Sequence, residues 1–509
     1  MSSGRKELLL GLMGLILCGA AWSLASAPWS NDDFGYHIVN VWCVDGFDDG
    51  TCAEGSERDT GVFLVPSYYP SPCYFKQLGQ PARCGTDMIN KEEKFSTIDS
   101  HYQWLHMWFM HRFVGASGET SILRMRLFNG ALFAGLLGLM LVGASRRIAK
   151  AGVFGIALTV VPVGIWYITS MSPTGWTIIA TSTGWSFAAT LGQMHLSRDR
   201  DPETTFGVWV NLIGLTLSAV IAFGSRQDGA VLFSLVVVAA FLSESNLLST
   251  NIRMRRINSW KPPTFVVFVL ALLAAPRFVS YVSPFVSDNL PVFEASRRQE
   301  ALLWFSNWVF HYPYLFVAAL GAEPMGSQEL IRVPAFTWIV MVLVLGRVLL
   351  PAIGSPNSRQ LAALIPLGLG FVAALWFAGQ EFDLYNVPPR YVLPLLPAII
   401  GLTLSSSRVT NVKLGFSSRS HPTLLALGVA HALCLYVILE RYTAGSSGGL
   451  RSIPVRFDER WWSWPVGPNY VLVLGSIGWW MFLVYSLRFL ERRDHCDGEW
   501  DRLSIKNQD

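Results

Sequence analysis

Long apolar runs constrain this chain more than any other feature. The first reads LLLGLMGLILCGAAWSLASA, just after Arg5 and Lys6, and similar runs recur to the C-terminal region. A helix of about twenty apolar residues matches the hydrocarbon thickness of a bilayer. Within lipid every backbone N–H and C=O must find its partner inside the segment, so such runs fold as helices. Composition agrees: 51% of residues are hydrophobic and only 15% charged, against about 25% charged in soluble domains. The chain therefore reads as an all-α polytopic membrane protein, with its length spent on spans rather than soluble domains. A net charge of +4 is too small to point to a nucleic-acid partner; the lipid bilayer is the partner the composition names.

Apolar runs of spanning length fall at 7–27, 125–144, 151–169, 174–196, 207–224, 228–246, 262–282, 333–353, 360–379, 391–407, 421–440 and 467–488. That gives about 12 transmembrane helices. The organisation is a first helix at 1–27, a polar loop at 28–122, helices two to seven within 123–282, an interfacial segment at 283–332, helices eight to twelve within 333–488, and a tail at 489–509. Basic residues orient the chain. Arg146, Arg147, Lys150, Arg198, Arg200, Arg253, Arg255, Arg256, Lys261, Arg359, Arg408, Lys413, Arg419, Arg488, Arg492 and Arg493 all fall on the side of Arg5 and Lys6. By the positive-inside tendency both termini are cytoplasmic. A further crossing at 304–321 is the alternative, but it would send later basic loops outside. The N-terminal run also has the outline of a signal peptide; a retained first helix is the favoured reading.

The loop at 28–122 faces the extracytoplasmic side in this topology. It holds Cys43, Cys52, Cys73 and Cys84, an even cluster suited to two disulfides in an oxidising compartment. Three pairings are open. A zinc site is the rival, but the spacings include no C-x-x-C.

Polar chemistry gathers on that same face. Asp32, Asp33 and His37 follow the first helix; Asp99, His101 and His106 come late in the loop. Arg226, Gln227 and Asp228 mark the outer end of the fifth span, and Arg390 and Tyr391 lead into the tenth. Adjacent carboxylates can hold a divalent cation such as Mg or Mn through hard oxygen ligands, or one can take a proton from a hydroxyl. Arginine can grip a phosphate bidentately. The set suits a lipid-phosphate substrate at a membrane surface. Each member also has a plainer reading. The aspartates could be a solvated loop start, Arg226 a snorkelling flank, Asp228–Gly229 a turn, and His101 and His106 packing residues. His431 reads as hydrogen-bonded within the bundle. The chain has no phosphate-loop, zincin or nucleophile-elbow motif, which disfavours an ATP-driven pump and the usual hydrolases.

Four elements in order resemble a bacterial multi-pass family of unknown function, similar to the GT-C group of polyprenyl-phosphate-dependent glycosyltransferases. They are Asn31-Asp32-Asp33-Phe34-Gly35-Tyr36-His37, Ser172-Pro173-Thr174-Gly175-Trp176, Ser225-Arg226-Gln227-Asp228-Gly229, and Pro389-Arg390-Tyr391-Val392-Leu393-Pro394-Leu395-Leu396-Pro397. The chain departs from the family after the second element, where Trp176 and Thr177 replace a glutamate. The resemblance implies a GT-C-like bundle in the bacterial plasma membrane with a large first outer loop. It implies a polyprenyl-phosphate-linked sugar donor and an envelope glycan or lipid acceptor. Asp32 or Asp33 would then be the base or metal ligand, and Arg226 and Arg390 the phosphate contacts. A transporter or flippase of lipid-linked glycans is the rival from another class. It would show repeats and midplane charges, and few midplane charges are visible. A non-catalytic assembly partner is a third reading.

Overall fold

The computed structural model describes residues 3–30, 34–46, 104–115, 117–194, 202–244, 366–370, 391–406, 421–445 and 460–506. It adds short pieces between 53 and 84 and the single residues 340 and 343. The expected span at 262–282 and the alternative crossing at 304–321 lie outside these residues, as does 333–353 apart from 340 and 343; of 360–379 only 366–370 are described, and they are helical.

Twelve α-helices organise the described chain: α1 Ser3–Ala25, α2 Phe34–Trp42, α3 Trp104–His111, α4 Gly118–Gly143, α5 Arg146–Thr159, α6 Ile165–Ile168, α7 Pro173–Met194, α8 Pro202–Ser225, α9 Gln227–Glu244, α10 Leu396–Ser406, α11 His421–Ala444 and α12 Pro468–Lys506. A two-residue antiparallel ladder, β1 Ala53–Glu54 against β2 Phe63–Leu64, pairs Ala53 with Leu64. Among the described residues six helices are long and apolar enough to cross a membrane: Gly4–Ala25, Gly118–Gly143, Phe206–Ser225, Gln227–Glu244, Pro422–Ala444 and Pro468–Arg492. They coincide with the first, second, fifth, sixth, eleventh and twelfth runs of the sequence. The protein is thus a multi-pass, membrane-embedded helical bundle.

Three of the expected spans are built differently from a plain apolar helix. The third is α5 and α6 joined by a π-helical turn at Val160–Gly164. Pro162 has no N–H to donate to the helix ladder, and a widened turn there accommodates the break. The fourth, α7, is rich in Ser and Thr and buried from Pro173 to Gly192. Thr181, Thr183 and Thr190 donate to the carbonyls of Thr177, Ile179 and Ser186 at 2.9 Å each, so the hydroxyls are satisfied within the helix. The tenth is short: a 3-10 turn Leu393–Leu395 runs into α10, the two prolines of LPLLP marking the change.

Lipid-facing and core-facing surfaces separate cleanly. Phe206, Trp209, Ile213, Leu217 and Val220 of α8 are exposed at helical spacing, as are Tyr470, Val473, Leu474, Ile477 and Trp480 of α12. Between helices the contact relies on small residues. A Cβ on Gly14 of α1 would stand 2.5 Å from the Gly478 carbonyl of α12, and one on Gly478 would stand 2.6 Å from the Gly14 carbonyl. Paired glycines let these backbones touch.

Polar ties fix both ends of the bundle. At one end Cys73 and Cys84 form a disulfide with Cα atoms 6.0 Å apart, and Cys43 is also disulfide-bonded. Buried Arg441, near the C-terminal end of α11, donates to the carbonyls of Tyr74 (2.8 Å) and Gln80 (3.0 Å), holding the Cys73–Cys84 loop on the bundle. At the opposite end Arg492 pairs with Glu7 at 2.9 Å, and Arg147 pairs with the buried Glu244 at 2.6 Å. Arg146, Arg147 and Arg492 therefore share one end, and the loop cystines share the other, as the charge pattern predicts.

Candidate functional site

The α8–α9 corner is sharp. Helix α8 ends at Ser225, α9 begins at Gln227, and Arg226 alone lies between them. A corner this tight projects the Arg226 side chain from the tip of a helical hairpin. Its Nε donates to Asp228 Oδ1 at 2.9 Å, its Nη1 to Thr174 Oγ1 at 3.3 Å, and its Nη2 to Tyr391 OH at 3.4 Å. The guanidinium carbon also lies 5.2 Å from the Tyr391 ring centroid, a cation–π arrangement. Asp228 Oδ1 accepts from the Gly229 N–H at 2.8 Å as well, so one carboxylate oxygen caps α9 and orients the arginine. Gly229 is required by proximity: a Cβ there would lie 2.5 Å from Thr177 Oγ1.

Tyr391 comes from a segment 165 residues away in sequence from Arg226. Among the described residues it lines a cleft with Pro394, Thr174, Thr177, Arg226 and Asp228. The cleft is shallow and open to its surroundings, with a volume of about 10 Å³. Thr177 Oγ1 lies 3.1 Å from Ser225 Oγ, which ties its floor to the end of α8.

Helices α2 and α3 pack beside the same end of α7. His37 and His106 are both buried. The His106 ring stacks edge-on to Trp176 with centroids 4.8 Å apart. Trp176 Nε1 donates to Asn129 Oδ1 at 2.9 Å, and Asn129 Nδ2 to the Ser170 carbonyl at 2.8 Å. Burial, reinforced by the nearby His37 charge, pushes the His106 imidazolium down to about 3, so this ring is neutral across the physiological range. Leu105 of α3 sits directly against Gly224 of α8. His111 Nδ1 donates to the Val41 carbonyl at 3.0 Å, and its Nε2 lies 3.5 Å from Asp45 Oδ2.

The end of α1 is held just before the acidic pair. Arg126, fully buried on α4, donates to the carbonyls of Ser23 (3.1 Å), Ser26 and Ala27 (3.2 Å). Trp461 Nε1 donates to the Leu24 carbonyl at 2.9 Å. A cation at a helix C-terminus satisfies orphan carbonyls and opposes the negative end of the dipole.

Of the residues singled out by sequence, the structure joins Arg226, Asp228 and Tyr391 in one cleft. It places His37 beside the same end of α7, and it makes Gln227 the first residue of α9. Asp32, Asp33, Asp99, His101, Arg390 and Cys52 lie outside the described residues. His106 is a packing residue, buried edge-on against Trp176. His431 is hydrogen-bonded in the bundle: Trp22 Nε1 donates to its Nε2 at 2.9 Å. No group of three or more His, Cys, Asp or Glu among the described residues could hold a metal ion. Sequence reasoning missed Thr174 and Thr177 as cleft walls and Arg126 as the α1 cap. Thr174 had one signal, its place in SPTGW; Arg126, at the start of the second apolar run, had none.

Residues 16–399, well over half of the chain, match a family described as "Predicted membrane protein (DUF2142)". No curated protein and no solved structure matches the chain.

Proposed function

The chain belongs to this DUF2142 family of predicted membrane proteins, and from that premise we propose that it is a GT-C-like glycosyltransferase. In this reading it moves a sugar from a polyprenyl-phosphate carrier to an envelope glycan or lipid on the disulfide-bearing side. One observation carries the reading: Arg226, Thr174 and Tyr391, from three separate elements, converge on a single cleft at the membrane end that bears the cystines. The 3.3 and 3.4 Å hydrogen bonds from the two Nη atoms are long. Charge-assisted bonds to a phosphate oxygen run at about 2.7–2.9 Å, so a phosphate gains by replacing them.

The chemistry then needs a base. Asp33, or its neighbour Asp32, removes the proton from the acceptor hydroxyl. The acceptor oxygen bonds to the anomeric carbon, the bond from that carbon to the phosphate oxygen breaks, and prenyl phosphate leaves with the electron pair. Arg226 and Arg390 stabilise the phosphate as charge develops on it. The proton ends on the aspartate.

The test is a profile of envelope glycans and lipid-linked sugars in cells carrying Asp33→Asn or Arg226→Ala, beside wild type and a deletion. With the variant proteins present in the membrane, the expected result is a glycan lacking one sugar and an accumulated prenyl-linked precursor. A wild-type profile in both variants, alongside a deletion phenotype, refutes the reading and favours transport or scaffolding.

A further inference from the structure

Asp228 shares the cleft with Arg226, and its negative charge would oppose an anionic ligand. Its geometry argues for another role. The pair is largely buried, with side-chain exposures of 12% for Arg226 and 11% for Asp228. Only Oδ1 of Asp228 is engaged in the contacts described above, by Arg226 Nε and the Gly229 N–H. The carboxylate therefore holds the Nε side of the guanidinium against the first turn of α9. A planar guanidinium fixed at Nε has its Nη edge fixed too. That edge faces Thr174 Oγ1 and Tyr391 OH across the cleft.

We propose that Asp228 is a positioning residue, and that the Nη edge of Arg226 with the Thr174 and Tyr391 hydroxyls forms a clamp for one phosphate group. This rests on the glycosyltransferase reading only for the source of that phosphate. The clamp offers two N–H donors in one plane, and the two hydroxyls can each turn a proton towards the anion. Asp228 takes no proton and touches no ligand atom. It prevents rotation of the guanidinium about its long stem, whose freedom would otherwise have to be lost on binding.

The test uses the full chain in detergent and measures thermal stabilisation by a long-chain prenyl monophosphate and, separately, by inorganic phosphate. Wild type should be stabilised by the prenyl phosphate. Stabilisation by inorganic phosphate at far higher concentration identifies the headgroup as the recognised part; stabilisation by prenyl alcohol alone overturns the clamp. Asp228→Asn should raise the concentration needed by about tenfold, equivalent to 1.4 kcal/mol, and Asp228→Glu should recover most of the loss. Tighter binding by Asp228→Asn would mean the carboxylate only repels the ligand and would overturn the proposal. So would an unchanged ligand response with a lower ligand-free midpoint, the mark of a helix cap alone. Tyr391→Phe and Thr174→Val give a second route if Asp228→Asn does not fold: each should weaken binding several-fold, and full wild-type binding in both refutes the clamp. Phosphate binding with the predicted variant order, in a protein that transfers no sugar, would sink the glycosyltransferase reading and leave the clamp standing.

Discussion

Replacing Arg126 by Met tests whether a buried cation holds the end of the first helix. Arg126 makes three hydrogen bonds to carbonyls at the end of α1, those of Ser23, Ser26 and Ala27. Each charge-assisted bond is worth roughly 1.5–3 kcal/mol, and a buried acceptor left alone costs about as much. Relief of the guanidinium's own desolvation offsets part of this. The net loss should be about 3–5 kcal/mol. Arg126→Lys keeps the charge but lacks the fork, cannot span three acceptors, and should lose about half as much. Equilibrium unfolding in mixed micelles reads these differences directly. A loss below about 1 kcal/mol for Arg126→Met would refute the cap, since Trp461 and solvent would then suffice for these carbonyls. Equal losses for Met and Lys would show that the fork, not the charge, does the holding.

Three further outcomes follow from the geometry. Gly229→Ala should destabilise by about 1–3 kcal/mol, despite Ala's better helix propensity, because its Cβ would stand 2.5 Å from Thr177 Oγ1; a stabilised variant would mean α9 can shift freely. His106 is neutral in the folded state, with its pKa pushed below the ordinary value of 6.5 to about 3. The unfolded chain binds the extra proton first, so this contribution is whole above about pH 6.5 and is lost as pH falls towards 3; His106→Phe should flatten that part of the stability–pH curve. Breaking Cys73–Cys84 by a double Ser substitution removes an eleven-residue closure worth about 3 kcal/mol in chain entropy. It should expose the loop to limited proteolysis at residues 73–84, and unchanged proteolysis would show that the Arg441 contacts hold the loop unaided.

Several parts of this architecture were legible from the residues alone. Twenty-residue apolar runs force helices because lipid offers the backbone no partner, so α1, α4, α8, α9, α11 and α12 could be placed from composition. The basic loops foretold which helix ends lie together, because Arg and Lys bias the side on which short loops remain. An even set of loop cysteines foretold disulfides, though not the Cys73–Cys84 pairing, since spacing alone cannot choose among partners. Turn chemistry at Asp228–Gly229 pointed near the α8–α9 corner, but the corner is Arg226, and Asp228 and Gly229 lie in the first turn of α9.

Tertiary structure alone decided what those turns do. That Arg226 meets Tyr391 depends on how α7, α9 and the approach to α10 pack, and no periodicity encodes a contact across 165 residues. Thr174 and Thr177 look like ordinary hydroxyls of a Ser/Thr-rich helix until the close approach of Gly229 brings the α9 corner onto them. Arg126 looks like a stray charge near the start of a span until the end of α1 is seen resting on it. Sequence sets which segments enter the membrane, because that is a transfer free energy summed along the chain. The site is set by distances between segments, and those exist only once the helices have packed.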